Sequence, residues 1–258
     1  MRIASLASGS GGNAYIVESQ GCRIMIDDGL SHRETLRRAA VLGIDLDSIA
    51  AILLTHDHAD HVFGLAAFHG KHPEVPVYAN AMTALATRRS DRLGDAFRYF
   101  ENTQEFEIGP FAVSAFPIPH DAADPVGFIV KADGKTYFHC CDLGVGLDAI
   151  GCHLALADMA TLEFNHDPGM LMESSRPPHL KQRICGQRGH LSNYDASALV
   201  RRFASPNLKT LLMGHMSGEC NEKNLALAVL DATLAEMGRA DIRRIVLSQD
   251  EPMGFFDA

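Results

Sequence analysis

Short runs of β-branched and aromatic residues alternate with turn signals through the first part of the chain. Ile3–Ala7, Ala14–Glu18 and Arg23–Ile26 are separated by Ser8-Gly9-Ser10-Gly11-Gly12-Asn13 and closed by Asp27-Asp28-Gly29, which predicts strands joined by tight turns. Ser31 with Glu34 three residues later has the form of a capping box. Leu36, Ala39, Ala40 and Leu42 follow at helical spacing and Gly43 supplies a stop, so a helix packed on a sheet is expected here. Ala50–Leu54 is apolar throughout and reads as a buried strand that delivers the chain directly to Thr55-His56.

Further strands are predicted at Val75–Ala79, Phe111–Phe116, Val126–Lys131, Thr136–Cys140, Ala160–Phe164, Thr210–Met213 and Arg244–Leu247, with Asp133-Gly134 as a hairpin turn. Helical patterns fall at Met82–Leu93, Asn193–Phe203 and Glu222–Met237. Strands and helices are interleaved with no Pro/Ser-rich linker and no repeat. That order predicts a layered α/β sandwich and a single domain over residues 1–258.

Composition narrows the setting. No stretch reaches 18 consecutive apolar residues, and the N-terminal residues run into glycines instead of a signal-peptide core, so a soluble, cytoplasmic protein with no membrane partner is expected. The six cysteines contain no CxxC pair, and reduced thiols are the default reading. The net charge of −9 repels a polyanion at long range, so any nucleic-acid partner requires a local basic patch. Arg176, Lys181, Arg183 and Arg188, with no acidic residue between them, are the first candidate, against the ordinary reading of a solvated face. Arg88, Arg89 and Arg92 are a weaker second.

The candidate chemistry starts at His56-x-His58-x-Asp60-His61. The two histidines at i and i+2 project to one side of an extended segment, while Asp60 and His61 begin a helix and turn to face them. Four ligand-competent residues within six positions, after a buried strand, favour a metal site over four separately satisfied polar residues. Cys141 is expected to point to the opposite strand face from Asp142 and is left out of the ligand set. His32, His69, His72, His139, His153 and His179 are background.

HxHxDH after a hydrophobic strand resembles the signature of the metallo-β-lactamase superfamily, whose fold is a four-layer αββα sandwich. The later motifs follow in order: Pro119-His120-Asp121, Cys141-Asp142-Leu143-Gly144 and Gly214-His215-Met216-Ser217. The resemblance implies that His56, His58 and His120 hold one divalent metal, that Asp60, His61 and His215 hold a second, and that Asp142 bridges them. Imidazole-rich ligation suits zinc, while the carboxylates leave manganese or iron reasonable.

Paired metals lower the pKa of a shared water and stabilise charge on the attacked centre, which serves phosphodiesters, thioesters and lactones alike. Two further segments narrow the substrate: Glu163-Phe164-Asn165-His166-Asp167 and Gly189-His190-Leu191-Ser192-Asn193. A departing alkoxide needs a proton, and Glu163 with His190 could form a carboxylate-held general acid; a structural hydrogen-bonded pair is the plainer alternative. These segments, with Ser5-Leu6-Ala7-Ser8-Gly9-Ser10, resemble the YycJ/WalJ-like branch, related to tRNase Z phosphodiesterases. Gly11 stands where that branch commonly has a serine.

The branch implies a 5′-to-3′ exonuclease acting on DNA in preference to RNA. The mechanism expected on general chemical grounds has Asp60 orienting the nucleophile and His190, held by Glu163, protonating the leaving oxygen. His166, Lys181, Arg183 and Arg188 are candidate substrate contacts, although His166 could instead fix the Asp167-Pro168-Gly169 turn. The motifs are spaced too closely for a β-CASP insertion or a tRNase Z arm. A flavodiiron-type oxidoreductase would carry glutamate at the position of His58. A small-molecule hydrolase acting on a cyclic phosphodiester, lactone or thioester is the alternative that the acidic net charge favours.

Overall fold

The computed structural model describes residues 1–87 and 93–258. Arg88, Arg89 and Arg92, together with the end of the helix predicted over Met82–Leu93, lie outside the described residues. The chain forms two compact units. The first comprises Met1–Pro117, Ala122–Gly134 and Ser248–Asp257, and the second Ile118–Asp121, Lys135–Leu247 and Ala258.

The first unit holds a seven-stranded sheet in the order β14-β1-β2-β3-β4-β5-β6: Met253–Asp257, Arg2–Ala7, Ala14–Ser19, Cys22–Ile26, Ile49–Leu53, Val77–Ala79 and Phe97–Tyr99. Strands β14 to β3 pair antiparallel and β3 to β6 parallel. The same unit carries an antiparallel meander of β7 (Glu105–Ile108), β8 (Phe111–Pro117) and β9 (Val126–Ala132). Tyr78 of β5 stacks on Phe106 of β7 at 5.4 Å, and Phe100 meets both Phe106 and Phe128 of β9, so aromatic contacts join sheet and meander. Leu6, Ile16, Met25, Ile52, Leu65 and Phe68 are fully buried in the core of this unit.

Helix α1 (His32–Val41) starts where expected. The Ser31 hydroxyl accepts from the Glu34 amide at 3.3 Å, but the Glu34 carboxylate turns to Arg37 and Arg38, so only half of the capping box forms. Its buried face is Thr35, Arg38 and Ala39; Leu36, expected to pack on the sheet, is exposed along with Ala40. The Arg38 guanidinium displaces them by reaching inward to the carbonyls of Leu6 and Gln249. Short helices α2 (Ala59–Val62), α3 (Leu65–His69) and α4 (Ala81–Thr87) complete the unit.

In the second unit, β10 (Lys135–Cys140), β11 (Met159–Glu163), β12 (Thr210–Gly214) and β13 (Arg243–Val246) form an all-parallel array. Its inner strands, β11 and β12, are buried along their whole length, as parallel strands covered on both faces must be. The helices of this unit are α5 (Asp148–Leu154), α6 (Pro168–Glu173), α7 (Pro178–Ile184), α8 (Asn193–Phe203) and α9 (Lys223–Glu236). Strands β6, β7 and β14 and helices α3, α5, α6 and α7 were not anticipated; all span seven residues or fewer, too short for a periodic pattern to stand out. Among the described residues no helix is long and apolar enough to cross a membrane.

Candidate metal centre

In the first unit the parallel pair β3–β4 sets the geometry. Ile26 is level with Leu53, so the residues that follow, Asp27 and Thr55-His56, emerge together at the strand ends. Asp27 is fully buried with φ 59°, and its carboxylate accepts from the Thr55 amide (2.9 Å), the Thr55 hydroxyl (2.8 Å) and His61 Nδ1 (2.7 Å). The Thr55 hydroxyl also lies 3.0 Å from His56 Nδ1. His58 caps α2 and Asp60 and His61 lie within it, which brings the His56 ring to 4.7 Å from that of His58 and 4.0 Å from that of His61. Asp60 Oδ2 is 3.7 Å from His61 Nε2. Asn13 donates to His61 Nε2 at 3.1 Å and to the Asp60 carbonyl, tying the glycine-rich turn to the histidine run.

In the second unit three in-register parallel strands deliver one residue each. Cys140 is level with Leu162 and Glu163 with Gly214, so Asp142, Glu163 and His215 gather at the carboxyl ends of β10, β11 and β12, where open parallel sheets place their sites. Asp142 and His215 have φ 58° and 51°, the left-handed region that a residue with a Cβ occupies at a cost of about 1–3 kcal/mol and that clusters at functional sites. Strand β10 ends at Cys140, so the alternation expected to separate Cys141 from Asp142 does not extend that far. Asp142 Oδ1 is 3.6 Å from His120 Nε2 and 3.5 Å from His215 Nε2. Ligand atoms of Asp142, Glu163, His190 and His215 all lie within 4.8 Å of one another.

Glu163 is the hub of this unit. Its Oε1 accepts from His190 Nδ1 at 2.7 Å and from His215 Nδ1 at 2.8 Å, and its Oε2 accepts from the Leu143 and Leu191 amides at 2.8 and 3.2 Å. Burial alone would raise its pKa; the charge and hydrogen bond of His190, then those of His215, outweigh burial and hold the carboxyl below its usual range. The His190 pKa responds in the opposite sense: burial pushes it down, but Glu163 and then Asp142 raise it above that of an ordinary imidazole. The His190 side chain is 19% exposed while Glu163 is sealed, so it is the imidazole of this pair that meets solvent.

Both donor sets suit divalent ions. His120 and His215 engage Nδ1 with the Gly189 carbonyl and the Glu163 carboxylate, an outer arrangement that fixes the tautomer and presents Nε2 to a cation; His61 Nδ1 is held in the same way by the Asp27 carboxylate, with the Asn13 amide on its Nε2. Imidazoles with one or two carboxylates are the ligand chemistry of zinc, manganese and iron.

The predicted substrate contacts divide. Arg188 donates through Nε to the His120 carbonyl at 3.0 Å. Arg183 pairs with Asp121, Arg176 with Glu219, and Lys181 donates to the carbonyls of Met172 and Ser174, so each of these cations already has a protein partner. His166 is buried, with its backbone bridged to Ser192, and its pKa is lowered by that burial. The turn after it is fixed by Asp167, whose carboxylate caps α6 through the Met170 amide. Sequence reading missed Asp27, Thr55 and Asn13 and gave no role to Asn165 within its motif; Asn165 donates to the His215 carbonyl at 3.0 Å. Polar residues directly after apolar strand runs were the available signal, as in Asp27-Asp28-Gly29.

Comparison with known proteins defines the class. The fold is that of the metallo-β-lactamase fold protein YhfI from Bacillus subtilis, which superposes with a TM-score of 0.74 at 12% identity, covering 97% of this chain and 98% of the other. The beta-lactamase superfamily domain profile matches residues 22–216. The chain belongs to the metallo-β-lactamase superfamily and is an enzyme of its metal-dependent hydrolase type. Within it the chain falls in the WalJ/YycJ branch. It is 32% identical to the exodeoxyribonuclease WalJ of Streptococcus pneumoniae over 239 residues, which cover 91% of this chain and 88% of the relative. To the exodeoxyribonuclease YycJ of Bacillus anthracis it is 29% identical, over 92% and 90%.

Proposed function

We propose that this protein is a 5′-to-3′ exonuclease that hydrolyses phosphodiester bonds of DNA in preference to RNA. The observation that carries the reading is the second imidazole on Glu163. A carboxylate that only oriented a metal ligand would need His215 alone, yet it also holds His190 at 2.7 Å with partial exposure. The nearly full-length likeness to two exodeoxyribonucleases supports DNA as substrate.

In this reading His56, His58 and His120 would hold one ion, Asp60, His61 and His215 would hold the other, and Asp142 would serve both. The assignment rests on the motif order and on the donor geometry within each unit. The family profile runs through residues of both units, which supports treating 1–258 as one domain. Zinc is the first choice and manganese or iron the next. Bound, the ions would supply Lewis-acid polarisation of a phosphoryl oxygen and a lowered pKa for the attacking water.

The chain does the remainder. The Asp60 carboxylate orients the attacking water. Glu163 engages His190 Nδ1, which leaves Nε2–H to protonate the departing alkoxide. Among the candidate phosphate-side residues His166, Lys181, Arg183 and Arg188, Arg188 is foremost because its Nε anchors it beside His120, and Arg183 contributes least because Asp121 already pairs with it.

The test is turnover of 5′-phosphorylated duplex DNA, single-stranded DNA and RNA by zinc- or manganese-loaded protein. It is run beside a His56→Ala/His58→Ala variant and a bis-aryl phosphodiester. Progressive mononucleotide release from DNA by the wild type alone is expected. Activity confined to the small diester would replace this reading with a small-molecule hydrolase.

A further inference from the structure

Phe63 is the most exposed large apolar side chain among the described residues, at 68%. It follows α2 directly, three residues after Asp60, and so shares that residue's helical face. Together with Ser10, Gly11, Gly29, Ala59 and Asp60 it lines an open pocket of about 300 Å³. That volume stands at the small end of ligand sites.

The ring is held outward by a clamped backbone. The Asn13 amide donates to the Asp60 carbonyl at 2.8 Å, the Asp28 amide to the His61 carbonyl at 2.9 Å, and the Gly64 amide to the Asp28 carbonyl at 2.8 Å. A Cβ on Gly29 would come within 1.7 Å of the Asp60 carbonyl oxygen, and one on Gly64 within 2.1 Å of the Leu30 carbonyl oxygen. The turn therefore cannot roll to bury Phe63 without breaking these contacts.

Apart from Ala59, the other walls are backbone, hydroxyl and carboxylate, so the pocket offers a single flat apolar surface. A lipid or protein partner would need a wider apolar patch. One planar ring bordered by polar groups matches a nucleobase, which stacks through its face and meets polar groups at its edge. We propose that Phe63 is the stacking platform for a nucleobase next to the scissile phosphate of a single-stranded nucleic-acid substrate. This inference rests on the nuclease reading above and adds a base-contacting residue to it. Stacking of this kind is sequence-tolerant, since every base presents a π-face.

The experiment is a two-by-two cycle. Wild type and Phe63→Ala are compared on a 5′-phosphorylated DNA strand and on the same strand with abasic sites in its first two positions. Both KM and the equilibrium binding of phosphorothioate versions are read, and Phe63→Trp serves as the rescue. In the wild type the base-bearing strand should bind roughly tenfold tighter than the abasic strand. Phe63→Ala should collapse that gap, with the loss falling on KM, and Phe63→Trp should restore it. A gap that persists in Phe63→Ala, or equal weakening of both strands, overturns the inference while leaving the nuclease reading intact. A wild type that cleaves neither strand overturns both and is visible before any variant is made.

Discussion

Each unit contains a buried carboxylate that hydrogen-bonds Nδ1 of a histidine, and the two differ in what else they hold. The Asp27 carboxylate serves His61 and, among the described residues, otherwise binds Thr55 alone, through its amide and hydroxyl. Glu163 serves His215 in the same way but adds His190, an imidazole with access to solvent. One carboxylate is occupied wholly with holding the chain in place; the other also carries a group able to move a proton. In the proposed mechanism the difference separates residues that position ligands from the residue that would donate a proton.

Five variants probe that contrast. Asp142→Ala, which removes a carboxylate lying within 3.6 Å of the imidazoles of His120, His190 and His215, should take turnover to background and lower the bound-metal content measured by elemental analysis. Glu163→Gln should lose about 10³-fold or more in kcat, because it disturbs His190 and His215 together; a loss no greater than that of Asp27→Asn would erase the proposed asymmetry.

His190→Ala should retain its metal and slow hydrolysis of a diester with an alkyl leaving group by about 10²–10⁴-fold. A p-nitrophenyl leaving group needs no acid and should be slowed far less; equal slowing of the two would remove the acid assignment. Asp27→Asn should weaken metal affinity by about 10–100-fold, with kcat recovering at saturating metal. Arg183→Ala is the smallest, with less than about a threefold change in KM, since its guanidinium is already paired with Asp121 at the surface. A larger rise in KM, together with a shallower salt dependence, would make Arg183 a phosphate contact.

The two halves were unequally legible in the sequence. The histidine run of the first unit is contiguous, and a buried strand before it and a helix turn within it can be read from local pattern alone. Asp142, Glu163 and His215 are scattered over more than seventy positions and meet only because β10, β11 and β12 are parallel and in register. Strand pairing is a long-range property that no single window contains, so those residues entered through resemblance to a family. Helix α8 was read to its observed ends because Ser192 caps it and its apolar spacing is regular. Leu36 was misassigned because the buried stem of Arg38 takes the inward place that hydropathy gives to leucine. Asp27 escaped because a carboxylate after a strand is far more often a turn former, and only its bonds to His61 and Thr55 distinguish it.

Two of the four hydrogen bonds on Glu163 come from the main chain, from the amides of Leu143 and Leu191. Every residue type but one carries that N–H, so the side chains at 143 and 191 can vary within the space around them while the carboxylate keeps its anchor. Proline is the exception, and it would remove the donor outright. Drift in a lineage is therefore filtered at these two positions by imino acid content, by packing volume and, because both side chains are buried, by apolarity.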